Sequence, residues 1–289
     1  MKATAPPPTK SVSLGANTLL ATSRGCPFNC GFCATRVVWD KKVRSRSKDN
    51  IIEEIQECVH KYGISTFHFT DELFTSNRRR VWELCEAILE MHLNIKWVCT
   101  ARAQGLDLET LKLMKRAGCH EISFGIESGN QTMLNSIDKH LDLKKAADII
   151  SLTKKAGIIT HATYMFGYIG ETEQTMQETL DFAKSLNTHV AGFFIASPLP
   201  GTPLYEEASQ KGYLRKSATW IDYSPLSNQK SVLELPTLST YKIRSFHRNA
   251  LKKYYTRPSY IWLRLKGIRR WHDIVNLFGG LRLLFKIKK

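Results

Sequence analysis

Six short strand-like runs, separated by amphipathic helices, restrict this chain more than any other feature of its 289 residues. The runs are Leu19 to Thr22, Thr66 to Phe69, Ile95 to Thr100, Glu121 to Gly125, Ile159 to Met165 and Ala191 to Ala196. Apolar residues at helical spacing predict helices between them, over about 48–62, 77–92, 107–117, 143–156 and 173–186. In the first, Ile51, Ile52, Ile55, Cys58, Val59 and Tyr62 share a side, Glu53, Glu54 and Glu57 face away, and Gly63 ends the run. Parallel neighbours need a crossover, and a helix is the usual one, so the pattern predicts a parallel α/β sheet. Barrel and open sheet both satisfy it. The unusual residues favour a curved sheet. The Cys26 to Cys33 loop, Asp71-Glu72, Arg102, Glu127-Ser128, Gly170-Glu171 and Pro198 to Thr202 each follow the end of one strand. In a barrel such ends converge on one mouth. Six units instead of eight make a partial (β/α)6 TIM-like barrel with a lateral opening.

The charge is uneven. Lys and Arg number 42 against 26 Asp and Glu, a net +16, but residues 241–289 hold 14 Lys or Arg against Asp273 alone, a local +13. The other 240 residues carry about +3, so the basic character belongs to a tail. This divides the chain into an N-terminal segment 1–18 expected to be flexible, a core over 19–225 and a basic, aromatic-rich helical extension over 226–289. In the extension, Phe246, Tyr254, Tyr255, Tyr260, Trp262, Trp271, Phe278 and Phe285 interleave with the cations. Such a segment can bind nucleic acid by phosphate neutralisation and stacking, or lie on an anionic membrane, or pack on the barrel's open side. The helical spacing of Trp271, Ile274, Val275 and Phe278, and the Leu281 to Phe285 cluster after Gly279-Gly280, favour the membrane surface over nucleic acid. No apolar run reaches the length of a membrane span and the N-terminus lacks a signal-peptide core, so a cytoplasmic protein, peripheral on the inner face of the membrane, is expected.

Seven cysteines are an odd number, and three of them form Cys26-x3-Cys30-x2-Cys33, which points to metal ligation in a reducing compartment. Three thiolates on one loop can hold three irons of a cubane and leave the fourth open to an exogenous ligand. Zinc is the competitor. It would need a fourth ligand, and Cys58, Cys85, Cys99 and Cys119 qualify only if they reach the loop; on helix faces and strands they read as buried hydrophobes. His68 and His161 lie on strands and read as packed, hydrogen-bonded residues.

With Phe32 directly before the last cysteine, this array resembles the signature of the radical S-adenosylmethionine (SAM) superfamily. The resemblance runs from about Leu19 to Leu214. It is strongest to the branch with an N-terminal cobalamin domain, which includes anaerobic magnesium-protoporphyrin ester cyclases and hopanoid methylases. It rests on Arg24-Gly25-Cys26-Pro27, Arg44-Ser45-Arg46-Ser47, Phe69-Thr70-Asp71-Glu72, Gly125-Ile126-Glu127-Ser128-Gly129, Gly167-Tyr168-Ile169-Gly170-Glu171-Thr172 and Pro200-Gly201-Thr202-Pro203-Leu204-Tyr205.

The resemblance implies that Cys26, Cys30 and Cys33 bind three irons of a [4Fe–4S] cluster while the SAM amino and carboxylate groups chelate the fourth. An electron from a donor such as flavodoxin or ferredoxin would then enter the sulfonium, break a carbon–sulfur bond and yield a 5′-deoxyadenosyl radical that removes hydrogen from a substrate. Phe32 would flank the cofactor. Asp71 and Glu72 would accept hydrogen bonds from the SAM ammonium, or serve only as acids at a helix N-terminus. Glu127 and Ser128 would contact the ribose, or Glu127 would form a rim salt bridge. The Gly167 backbone would approach the adenine, or simply make a turn. Arg102 would hold the SAM carboxylate, which its guanidinium fork suits, or be a solvated surface arginine. The substrate is expected to be apolar or lipid-like, with methyl transfer or oxidative cyclisation as reactions. RNA modification and a non-enzymatic electron-transfer module are the alternatives. About eighteen residues precede Leu19, and His60-Lys61-Tyr62-Gly63 has Cys58 where an Asp-x-His-x-x-Gly motif needs its aspartate. Cobalamin is therefore doubtful as a cofactor of this chain, unless the chain is a fragment or a partner supplies the corrinoid.

Overall fold

The computed structural model describes residues 16–224 and 231–266. Six parallel strands, β1 (Asn17–Leu20), β2 (Thr66–Phe69), β3 (Lys96–Ala101), β4 (Cys119–Glu127), β5 (Ile159–Phe166) and β6 (Val190–Ile195), lie side by side in chain order. Helices α1 (Lys48–Tyr62), α2 (Arg78–Glu90), α3 (Leu108–Arg116), α4 (Leu143–Lys155) and α5 (Glu173–Leu186) provide the crossovers. This is the partial TIM-like barrel that the alternation predicts, and the strands' C-terminal ends share one rim. Every crossover helix starts on a side-chain cap: Ser47, Asn77, Asp107, Asp142 and Thr172 each accept the amide three residues on. A cap of this kind contributes about 1 kcal/mol and fixes where the chain leaves the loop.

Strand boundaries move where a loop residue has a better partner than the sheet. β1 ends at Leu20, two residues before the expected limit, because Thr22 turns to the Asp71 carboxylate. Ser23–Arg24 then pairs antiparallel with Arg44–Ser45 in a ribbon that the sequence pattern does not signal. β4 is longer than expected at both ends and carries a bulge between Gly125 and Glu127.

Alternation along β5 sorts the two faces. Thr160, Ala162, Tyr164 and Phe166 are buried toward the helices, whereas His161, Thr163 and Met165 are half-buried on the inner face. Phe69, Phe74 and Trp97 stack with centroids 5.0–5.3 Å apart in the helix-side core, and the Trp97 indole donates to the Ala117 carbonyl at 2.7 Å. Cys85, Cys99 and Cys119 are buried there as well, as small hydrophobes, whereas Cys58, expected to be buried, is only half-buried on α1.

After α6 (Pro203–Gln210), helix α7 (Thr240–Tyr255) packs on β6, the last strand of the sheet, and α8 (Pro258–Lys266) follows it. Its apolar face is spent on this contact. Phe246 meets Phe166 edge-on at 5.1 Å, and Tyr254 meets Phe193 at 5.8 Å. The Tyr255 hydroxyl donates to the Ala191 carbonyl at 2.7 Å and accepts from the Ala191 amide at 3.0 Å. An exposed edge is thereby covered. Of the readings offered for the basic extension, Thr240–Tyr255 takes the one in which it packs on the barrel. Trp271, Ile274, Val275, Phe278 and the Leu281 to Phe285 cluster lie outside the described residues. Among those described, no helix is long and apolar enough to cross a membrane.

Beyond β5, Glu171 turns inward and its Oε2 accepts the backbone amides of Gly167 and Tyr168, the latter at 3.3 Å. The side chain is 1% exposed, and burial raises its pKa from 4.5 to about 7.

Two outcomes follow from these contacts. Tyr255→Phe removes both hydroxyl bonds to Ala191 and should lower the unfolding free energy by about 1–2 kcal/mol in denaturant titrations, with the sheet's circular dichroism intact. A carboxylate whose pKa is higher folded than unfolded loses stability as pH rises from about 4.5 to about 7. Glu171→Gln keeps an acceptor for both amides without ionising, so its stability relative to the parent should increase between pH 5 and pH 8, by on the order of 2–3 kcal/mol at about 1.4 kcal/mol per pKa unit.

Candidate active site at the barrel rim

The cysteine loop is pinned at its entrance and again at Gly31, between its second and third cysteines. At its entrance the buried Asp71 carboxylate accepts from the Thr22 amide at 2.7 Å, the Thr22 hydroxyl at 2.6 Å and the Ser23 hydroxyl at 2.5 Å. Arg80 donates to the Thr22 carbonyl at 2.8 Å and stands 3.9 Å from Asp71. Glu72 Oε2 accepts the Gly25 amide at 2.9 Å. Farther along, Gly31 donates to the Ile137 carbonyl at 2.8 Å and accepts from the Leu204 amide at 2.9 Å. Cys26, half-buried, and Cys30, buried, lie between these anchors, and Cys33, half-buried, follows Gly31 by two residues. The Cys33 amide closes a turn on the Cys30 carbonyl at 3.0 Å, and its thiol donates to the Thr35 hydroxyl at 3.2 Å.

Burial raises the pKa of Cys26 and Cys30, and the cations Lys139 and Arg102 oppose that rise. Arg102 is 6% exposed, with its guanidinium 3.9 Å above the Phe28 ring. It donates from Nε to Gln104 at 3.3 Å, while Nη2 is buried without a hydrogen-bond partner. Burial pulls its pKa down, against the opposing charge of Cys30 and Cys26. A buried guanidinium nitrogen without an acceptor is costly unless an anionic group fills the place beside it.

Glu127 follows the β4 bulge at φ 70° and pairs with Lys139 at 3.2 Å, the rim salt bridge weighed from the sequence. Lys139 carried no sequence signal as a site residue. It is 8% exposed, and its ammonium stands 6.0 Å from the centre of the Phe32 ring. Thus the structure brings Phe32, Arg102 and Glu127 together with the three cysteines and adds Phe28 and Lys139.

Other expected contacts are spent elsewhere. Asp71 has a side chain with no solvent exposure and its oxygens are taken by the loop entrance, so it works as an anchor for the cysteine loop instead of an open acceptor for an ammonium. It is not an acid at a helix N-terminus either, since α2 is capped by Asn77. Ser128 is buried, and its hydroxyl meets the Thr179 hydroxyl at 3.1 Å and accepts the Asn130 amide at 3.1 Å. At Gly167, φ is 83° and an added Cβ would lie 3.0 Å from Ile243 of α7, so the missing side chain makes room for that helix. His68 and His161 do face the inner side of the sheet. His161 Nδ1 is 3.6 Å from Glu121 Oε1, and its Nε2 is buried without a hydrogen-bond partner. His60 is exposed on the last turn of α1, which Gly63 terminates at φ 63°.

Three thiols spaced along a pinned loop suit separate irons of one cubane, and the unpaired nitrogen of Arg102 suits a carboxylate beside it.

The chain is 32% identical over 271 residues to an uncharacterized methyltransferase of Pyrococcus horikoshii, covering 93% of this chain and 58% of that protein. It is 29% identical to the anaerobic magnesium-protoporphyrin IX monomethyl ester cyclase of Cereibacter sphaeroides, covering 91% and 42%. The chain thus spans about half the length of the curated relatives it matches. In fold it resembles the radical SAM methyltransferase TsrM of Kitasatospora setae, solved with cobalamin and a [4Fe–4S] cluster, at a TM-score of 0.67, 18% identity, and coverage of 95% of this chain and 61% of that one. The model of the radical SAM superfamily matches residues 20–183, more than half of the sequence, and the chain belongs to that superfamily.

Proposed function

We propose that this chain is the catalytic core of a radical SAM enzyme, in which Cys26, Cys30 and Cys33 hold a [4Fe–4S] cluster and SAM occupies the rim beside it. The observation that carries the reading is the pinned three-thiol loop with a buried, unpaired Arg102 nitrogen next to it. When bound, the cluster supplies one electron, received from a donor of the flavodoxin or ferredoxin type, for reductive cleavage of SAM. The residues of this chain orient and enclose. Arg102 would pair with the methionine carboxylate, and Glu127 and Glu72 remain at the rim for the ribose and ammonium. Asp71, Ser128 and Gly167 would act one step back, by fixing the loops on which those groups sit.

The substrate is proposed to be bulky and largely apolar, modified by methyl transfer or oxidative cyclisation, the reactions named among the relatives. Half-buried Met165 and Phe194, on the inner face, offer contacts for such a body. A cobalamin-dependent step would need residues other than His60, which sits exposed at a helix end. Nucleic acid is disfavoured because the described part of the basic extension uses its aromatic face on β6. A cytoplasmic location, with an anionic membrane nearby, is consistent with the uneven charge.

Anaerobic reconstitution should yield nearly four irons and four sulfides per chain and, with a strong reductant, 5′-deoxyadenosine from SAM. Cys30→Ala should reduce both to background in iron assays and product chromatography. Stoichiometric zinc with no uptake of iron would contradict the reading.

A further inference from the structure

The Glu127–Lys139 pair stands out as a largely buried ion pair for which the backbone makes repeated concessions. Its side chains are 13% and 11% exposed. Glu127 has φ 70°, and Lys139 sits between Asp138 at φ 55° and His140 at φ 46°. Three of the six described non-glycine residues in the left-handed region therefore surround one contact. Each costs free energy that the surroundings must offset, and such strain gathers where function needs it. Gly125 makes a fourth concession. A Cβ there would lie 2.5 Å from Glu127 Oε1 and 3.0 Å from Lys139 Nζ. A surface ion pair would need none of this, and a buried one gains little net stability.

The pair is also tied rigidly to the cysteine loop. The Ile137 carbonyl, two residues before Lys139, accepts the Gly31 amide at 2.8 Å. The ammonium lies 6.0 Å from the ring of Phe32, the residue between Gly31 and Cys33. Arg102 is the other buried cation at this loop, its guanidinium 3.9 Å above the ring of Phe28, which lies between Cys26 and Cys30.

We propose that Glu127 and Lys139 form a charge module that sets the reduction potential of the cluster, Lys139 raising it and Glu127 restraining the rise. This rests on the reading that the three cysteines hold a [4Fe–4S] cluster. Reduction adds one electron to a group already made anionic by thiolates, so a fixed cation nearby favours the reduced state and a fixed anion disfavours it. In a site shielded from water the effect of one charge is larger than at the surface. Glu127 keeps the ammonium in place and, by partial neutralisation, holds the potential low enough for the electron to remain a strong reductant. Lys139 is in these terms a positioning and tuning residue, not one that reacts.

The test is an EPR-monitored redox titration of anaerobically reconstituted protein without SAM, comparing the parent with Lys139→Met, Lys139→Arg and Glu127→Gln after iron and sulfide assays. The module predicts a more negative midpoint for Lys139→Met, a return to the parent value for Lys139→Arg, and a more positive midpoint for Glu127→Gln. Coincident midpoints, or shifts of the same sign for Lys139→Met and Glu127→Gln, would overturn it. If Lys139→Met fails to take up the cluster, the sign of the Glu127→Gln shift decides. A parent chain that takes up no iron would overturn the cluster reading and this inference together, whereas unmoved potentials in loaded protein would overturn the inference alone.

Discussion

The buried carboxylate of Asp71 is the contact on which the site's geometry depends. It stands at the C-terminal end of β2 and gathers the Thr22 amide and two hydroxyls from the chain that has just left β1. A carboxylate with no exposure must be satisfied by its neighbours, and here three donors and the nearby Arg80 cation do so. The consequence is local and directional. Leaving the sheet at Leu20 and turning onto Asp71 commits the next residues to the ribbon with Arg44–Ser45, and Glu72 then takes the Gly25 amide directly before the first cysteine. The loop thus begins from a fixed point, and Gly31 fixes it again between Ile137 and Leu204. Thiols on a loop held this way keep their spacing before any cofactor arrives, as a preorganised site requires.

The rest of the barrel serves the same rim. Side-chain caps set the start of each crossover helix, the parallel register puts every strand end on one side, and the Glu171 carboxylate clamps the turn after β5. Helix α7 closes the far edge with Tyr254 and Tyr255. Tyr254 bonds the Thr188 hydroxyl at 2.9 Å and carbonyl at 2.8 Å, and Arg257 stacks on its ring at 3.6 Å. The cationic residues of this helix are therefore the outer face of a packing element. Lys242, for example, pairs with Glu173 of α5 at 2.5 Å.

How much of this was legible in the sequence differs by level. The six strands and five crossover helices were readable from period alone: Thr66–Phe69, Lys48–Tyr62 and Glu173–Leu186 fall where apolar spacing puts them, the others differ by at most two residues at an end, and the short helix Gln131–Ser136 gave no such signal. The cysteine array was readable because its spacing is specific. What was not readable is which polar residue faces the mouth and which faces a neighbour. Asp71 and Ser128 have the residue types expected of ligand contacts, yet Asp71 bonds residues 49 positions away and Ser128 bonds one 51 positions away, pairings that no local pattern encodes. Gly167 looks like a place for a ligand's close approach, but the space is filled by Ile243. Lys139 is hidden in the sequence for the converse reason. A lysine in a loop beside Asp138 and His140 reads as solvated, and only the bulge at Glu127 and the left-handed backbone on either side bring it inward.

Three cysteines on this loop would leave one iron of a cubane open for SAM, and Mössbauer spectroscopy of protein reconstituted with 57Fe, recorded with and without SAM, reads that iron separately. One iron of the four should differ from the other three, with an isomer shift that rises when SAM is added while those three stay in place. Four irons that SAM leaves unmoved would rule this out.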